Sequence, residues 1–148
     1  MLSISHAMTG AYIATRLHNP LLAFPVILAS HYLEDWILHW DVGTGLTNGS
    51  RSKRTAFILE LGDLAIAGLL VLFIFQPNFF AFSWIAIYGA FIGLLPDFVE
   101  APRNFWHFNP PILKIFNDFH HNFHRSTPNI LLGLIPQIIV VSAIIALR

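Results

Sequence analysis

Ala56 to Phe75 is a run of twenty residues in which Glu60 and Asp63 are the only charges. At about 1.5 Å per residue, a helix of that length covers the ~30 Å hydrocarbon core of a bilayer. The rest of the chain agrees with it. Of 148 residues, 55% are hydrophobic and 11% are charged, with a mean hydropathy of +0.64. A soluble domain carries about 25% charged residues. The sequence therefore predicts an all-α, polytopic membrane helix bundle. It forms one integral-membrane domain over residues 1–148, with four to five membrane helices and one interfacial helix.

A formal net charge of zero and a pI of about 7.1 give no footing for nucleic-acid binding. The absence of cysteine excludes disulfides, iron–sulfur clusters and Cys-ligated zinc. The first residues lack a basic n-region and a small-residue cleavage site, so no cleaved signal peptide is expected.

Ser3 to Leu17 reads as a short helix with a small-residue face of Ala7, Gly10, Ala11 and Ala14, which lets another helix approach closely. His18-Asn19-Pro20 breaks it, and a second helix is expected from Pro20 to Trp40. Asp41 to Thr55 is polar and glycine-rich, hence a loop. Ala56–Phe75 follows, then a tight turn at Gln76-Pro77-Asn78. The next helix is expected from Phe79 to Leu95, ending at Pro96-Asp97, with Gly89 and Gly93 suited to close packing. Phe98 to Pro111 reads as a loop. Asn109 and Pro110 open an interfacial helix to His124, with apolar Ile112, Leu113, Phe116 and Phe119 at helical spacing. The last span is Asn129 to Leu147.

Positive charge sets the orientation. Arg51, Lys53 and Arg54 lie in the first long loop, and Arg103, Lys114 and Arg125 in the second long segment, while Arg16 and Arg148 fall on the other side. The positive-inside rule then puts both long segments in the cytoplasm.

That orientation gathers the ionisable groups on one face. His31, Asp35 and His39 stand at i, i+4 and i+8 in SHYLEDWILHWD. On a helix the first two share a face, and His39 is turned by roughly 80° from His31, toward a second ligand set. Acids and imidazoles at the end of a membrane-grade helix are costly and mark function. His6 opens the first helix, Asp63 and Glu60 lie near the start of the third, and Asp97 closes the fourth. His120, His121 and His124 precede the last. The expected metal ligands are His6, His31, Asp35, His39, Asp63, Asp97, His120 and His124, since His and carboxylate at helical spacing suit a divalent ion. Zn²⁺ is the first expectation and Mn²⁺ the second. Asp35 or Asp63 is the candidate general base, and Arg125 or Arg103 the candidate phosphate holder. Asp41 and Asp118 read as solvated, and the tryptophans as interface anchors.

His6-x-x-x-Gly10, the histidine-acid helix, Leu95-Pro96-Asp97 and the His120–Arg125 segment together resemble the small bacterial inner-membrane metal-dependent hydrolases described as LexA-binding inner-membrane-associated hydrolases. In that family Leu-Pro-Asp is usually followed by Asp-His, where this chain has Phe98-Val99-Glu100. The family's later His-Arg-x-x-Thr-His appears here as His124-Arg125-Ser126-Thr127, followed by Pro128. A more distant likeness is to helical phospholipase C and P1-type nucleases, through His31-x-x-x-Asp35. The resemblance implies a hydrolase in the bacterial cytoplasmic (inner) membrane, with membrane lipid around it. The expected substrate is a phosphoester or lipid-linked compound. The alternative function is non-catalytic metal binding or transport. A transporter should carry polar groups across the whole thickness, and the outer halves of the third and fourth helices are apolar.

Overall fold

The architecture was established from a computed structural model, which describes residues 1–46, 48–76 and 81–148. The turn expected at Gln76-Pro77-Asn78 and the helix start expected at Phe79 lie outside the described residues, apart from Gln76. Among the described residues there are six helices: α1 Ser3–Leu17, α2 Pro20–Trp36, α3 Lys53–Phe75, α4 Trp84–Trp106, α5 Pro111–Phe123 and α6 Ile130–Leu147. Three of them, α3, α4 and α6, are long and apolar enough to cross a membrane, with mean hydropathy of 2.3, 1.4 and 2.7. That is fewer than the four to five expected. The difference lies in α1 and α2, which at 15 and 17 residues reach about 22 and 25 Å, short of the ~30 Å core.

α1 is the centre of the bundle. Its small residues Ala7, Gly10, Ala11 and Ala14 are buried, and they let α1 meet α4 backbone to backbone. A Cβ on Gly10 would run into the carbonyl of Gly89, and one on Gly93 into the carbonyl of His6. Small residues at such crossings replace the hydrophobic drive that lipid does not supply. The outside is apolar: Leu21, Phe73 and Leu131 are 79–85% exposed, as suits surfaces solvated by acyl chains rather than water.

Two helix ends differ from expectation. α2 stops at Trp36, not Trp40, because the backbone turns extended at Ile37 (φ −74°, ψ 137°). The freed extended segment pairs with the segment after α5 through an isolated bridge between His39 and Ser126. Arg125 N donates to Asp35 O (3.0 Å), His39 N to Arg125 O (3.1 Å) and Thr127 N to His39 O (2.8 Å). α4 does not stop at Leu95. It runs through Pro96 and Pro102 to Trp106 and ends at His107, in the left-handed conformation (φ 57°). Proline removes one ladder donor, a loss that packed membrane helices absorb. The continued helix carries Asp97, Glu100 and Arg103 on successive turns of one face.

α5 has its apolar Ile112, Ile115, Phe116 and Phe119 exposed, and buries Asn117 and His120 against the bundle. An amphipathic helix that turns its polar side inward fits an interface with lipid outside.

Candidate metal centre

Asp35 is the hub. Its side chain is fully buried and its two oxygens face different partners. Oδ2 lies 2.8 Å from His120 Nε2 and 3.4 Å from His31 Nε2. The two imidazole Nε2 atoms are 3.3 Å apart. Asp97 Oδ1 stands 3.8 Å from His31 Nε2 and 3.9 Å from His120 Nε2. In a tetrahedral site with ~2.0–2.1 Å bonds, donors stand about 3.4 Å from one another. His31, Asp35, Asp97 and His120 thus form a group that could hold a metal ion.

The tautomer of His31 follows from its other nitrogen. Nδ1 is 2.7 Å from the carbonyl of Gly93. A carbonyl can only accept, so Nδ1 carries the proton and Nε2 turns its lone pair to the group. His120 Nδ1 is 3.4 Å from Glu100 Oε2, out of line for a hydrogen bond.

A second group shares Asp35. Oδ1 lies 3.7 Å from His39 Nε2, and His39 Nε2 lies 3.3 Å from His124 Nε2. Asp35, His39 and His124 could hold a metal ion as well. His39 Nδ1 is 2.8 Å from the carbonyl of Ile37, which fixes its tautomer as in His31. Beside this pair stands Asp41, whose Oδ2 is 3.3 Å from His39 Nε2 and 3.4 Å from His124 Nε2. Neither contact is in line for a hydrogen bond, and that buried oxygen is left without a partner. Burial pushes the Asp41 carboxyl up, but the imidazoles of His124 and His39 more than offset this and hold it below the ordinary carboxylate range. Burial pushes the His124 imidazole down, and the Asp41 carboxylate reverses the sign, raising it.

The structure therefore brings together His31, Asp35, His39, Asp97, His120 and His124. His6 approaches from a third side, with Nε2 3.1 Å from Asp35 Oδ1 and its ring stacked on His31 at 3.9 Å. Its Nδ1 is 2.8 Å from Glu34 Oε2. The amino group of Met1 is paired with Asp35 Oδ1 as well. Asp63 belongs to neither group: it accepts from Ser3 N at 2.6 Å and from Ile4 N at 3.4 Å, holding the start of α1. Glu60 accepts from Ser3 Oγ at 2.7 Å. The Arg125 guanidinium lies over the Trp36 ring at 5.2 Å, and Arg103 pairs with Glu100. Asp41, read from sequence as solvated, is buried (7% exposed).

A cavity of about 300 Å³ lies beside the two groups and is reached by Asp97 of the first, by His124 of the second and by Asp41; the other donors are buried behind its lining. Its lining mixes polar Asp41, Asp97, Glu100, Arg103 and His124 with apolar Phe57, Leu61, Leu64 and Phe98. Asp97 is the one donor of the first group with appreciable exposure, 28% against 2% or less for the others. Comparison with protein-family models, with curated proteins and with solved structures finds no match to this chain.

Proposed function

We propose that this protein is a membrane-embedded, metal-dependent hydrolase. It cleaves a phosphoester in a lipid-linked substrate at the cytoplasmic face of a bacterial inner membrane, with Zn²⁺ as the first metal to test and Mn²⁺ the second. The observation that carries the reading is the buried His31–Asp35–Asp97–His120 group, which meets a cavity of mixed polar and apolar lining through Asp97. The likeness to the inner-membrane hydrolases points the same way.

The cavity suits an amphiphile. Leu61 lines it and is 52% exposed, and with Phe57, Leu64 and Phe98 it offers an apolar surface to a lipid chain. Arg103 offers planar N–H donors to an anionic headgroup. A metal in the donor group would supply an acidified water and positive charge for the phosphoryl oxygens. The protein's own groups handle the proton. As the water oxygen bonds to phosphorus, its proton passes to the exposed oxygen of Asp97. The ester oxygen leaves with the bonding pair and is protonated from solvent at the cavity mouth. Asp35 and Asp63, the candidate bases of the sequence, are both fully engaged: one faces imidazoles on both oxygens and the other holds α1.

The test is hydrolysis of a panel of phospholipids and isoprenoid phosphates in mixed micelles with Zn²⁺ or Mn²⁺. His120→Ala and Asp35→Ala are expected to lose at least about 10²-fold in kcat, more than the 10–100-fold typical of residues that merely support ligands, with a smaller change in KM. Stoichiometric metal without cleavage across the panel would instead identify a metal-binding protein.

A further inference from the structure

The second group, around His39, Asp41 and His124, has no role in a mononuclear centre. Its geometry asks for a cation. The His39 tautomer is fixed by Ile37, so Nε2 directs a lone pair toward His124 Nε2 at 3.3 Å. The Asp41 carboxylate closes the triangle at 3.3 and 3.4 Å. The His39 lone pair and the Asp41 carboxylate are buried and face the same point as His124 Nε2, an arrangement that requires a proton or a metal among them. Asp41 Oδ2 supplies a separate sign of the same thing. It is buried and aimed into the group, with no hydrogen-bond partner. Buried polar atoms in folded proteins are almost always paired.

We infer that the centre is dinuclear: His39, Asp41 and His124 with Asp35 Oδ1 hold a second divalent ion, and Asp35 bridges it to the ion of the His31–Asp97–His120 group. Asp35 faces both sets, Oδ2 toward His31 and His120 and Oδ1 toward His39. Oδ1 also pairs with the Met1 amino group and lies 3.1 Å from His6 Nε2, contacts that an ion there would displace. A bridging carboxylate sets two ions about 3.5–4 Å apart, the spacing of two-metal phosphoester sites. The site rests on reading the His31 group as a metal site, and names the second half of the same centre. Donors come from five places in the chain: α2, the extended segment after it, α4, α5 and the turn after α5. Metal binding then also clips the 37–41 segment to the segment after α5.

Metal stoichiometry tests this without turnover. Full-length protein in detergent is stripped with chelator and titrated with Zn²⁺, and Mn²⁺-loaded protein is read by electron paramagnetic resonance. The wild type is expected to take two equivalents and to show the exchange-coupled signal of a Mn²⁺ pair. Asp41→Asn and His124→Gln should each bind one equivalent and show an isolated Mn²⁺ spectrum, while Asp35→Asn weakens both sites. A single equivalent in the wild type, two uncoupled ions, or two equivalents retained in Asp41→Asn would overturn the inference. The wild-type spectrum decides even if a variant fails to fold. The hydrolase reading fails differently: two coupled ions with no cleavage of any substrate leave the dinuclear site standing, whereas one ion with cleavage removes the site and keeps the enzyme.

Discussion

At the level of single residues, burial and partners separate carboxylates that look alike in sequence. Asp35 and Asp63 both sit in apolar helices, yet Asp35 faces imidazoles on both oxygens while Asp63 accepts backbone N–H groups of Ser3 and Ile4. The helix start that Asp63 serves has no cap of its own, since Leu2 occupies the capping position. Asp63→Ala should therefore cost about 1–2 kcal/mol in stability, as for loss of a helix cap. It should shift metal affinity by no more than about twofold, as for a site sharing no partner with the donors. Thermal unfolding in detergent and a zinc titration on the same sample check this; a large loss of affinity at unchanged stability would make Asp63 a ligand. Helical spacing made His31 and Asp35 readable as a pair, because both are on one helix. Asp41 was not readable: nothing local marks it, and its burial comes from residues 124–127, more than eighty positions away.

At the level of elements, the bounds of α1 were legible, since turn residues and apolar runs are local signals. The cap expected of Asn109 is not formed: Pro110 holds the capping position of α5, and Asn109 Oδ1 accepts from Asn117 Nδ2 at 2.8 Å instead. The end of α2 and the continuation of α4 were not legible either. Residues 37–41 are extended because the segment after α5 pairs with them, and α4 survives two prolines because its neighbours hold it. The expected i+8 helical register of His39 is replaced by extended backbone, which turns its ring into the group by another route. The α1–α4 crossing ties packing to chemistry. Gly93 packs under the His6 carbonyl, and its own carbonyl orients His31. Gly93→Ala should drive α1 from α4, lowering stability by about 1–3 kcal/mol, the usual cost of overpacking, and weakening zinc binding together with it. Gly62→Ala is the control. Nothing lies within 4 Å of a Cβ there, so it should be neutral or stabilising by up to about 1 kcal/mol. Equal destabilisation by both changes would mean that the close crossing is not what Gly93 provides.

At the level of the whole molecule, the chain divides its charge between two ends. At one end are both metal-type groups, α5 and the loop before α3. Lys53 Nζ is 2.6 Å from His107 Nε2, and the Phe57 ring meets Phe105 edge-on at 5.2 Å, so the start of α3 and the end of α4 meet there. At the other end Arg16 donates to the carbonyl of Leu147 and Arg148 to that of Ile74. Six of the eight Lys and Arg belong to the first end and two to the second. Those two are partly neutralised by carbonyls at helix C-termini, where a cation is favoured. Positive charge resists translocation, so the richer end is expected on the cytoplasmic side. The chain has no cysteine, which allows single-site labelling. Ser50→Cys and Asn109→Cys should both resist a membrane-impermeant maleimide in intact spheroplasts and react after lysis, while a cysteine appended after Arg148 should react before lysis. Labelling of Ser50→Cys and Asn109→Cys from opposite sides would separate α5 from the loop before α3 and dismantle the shared site. Labelling of both from outside would keep the site whole but move its substrate to the other face of the membrane.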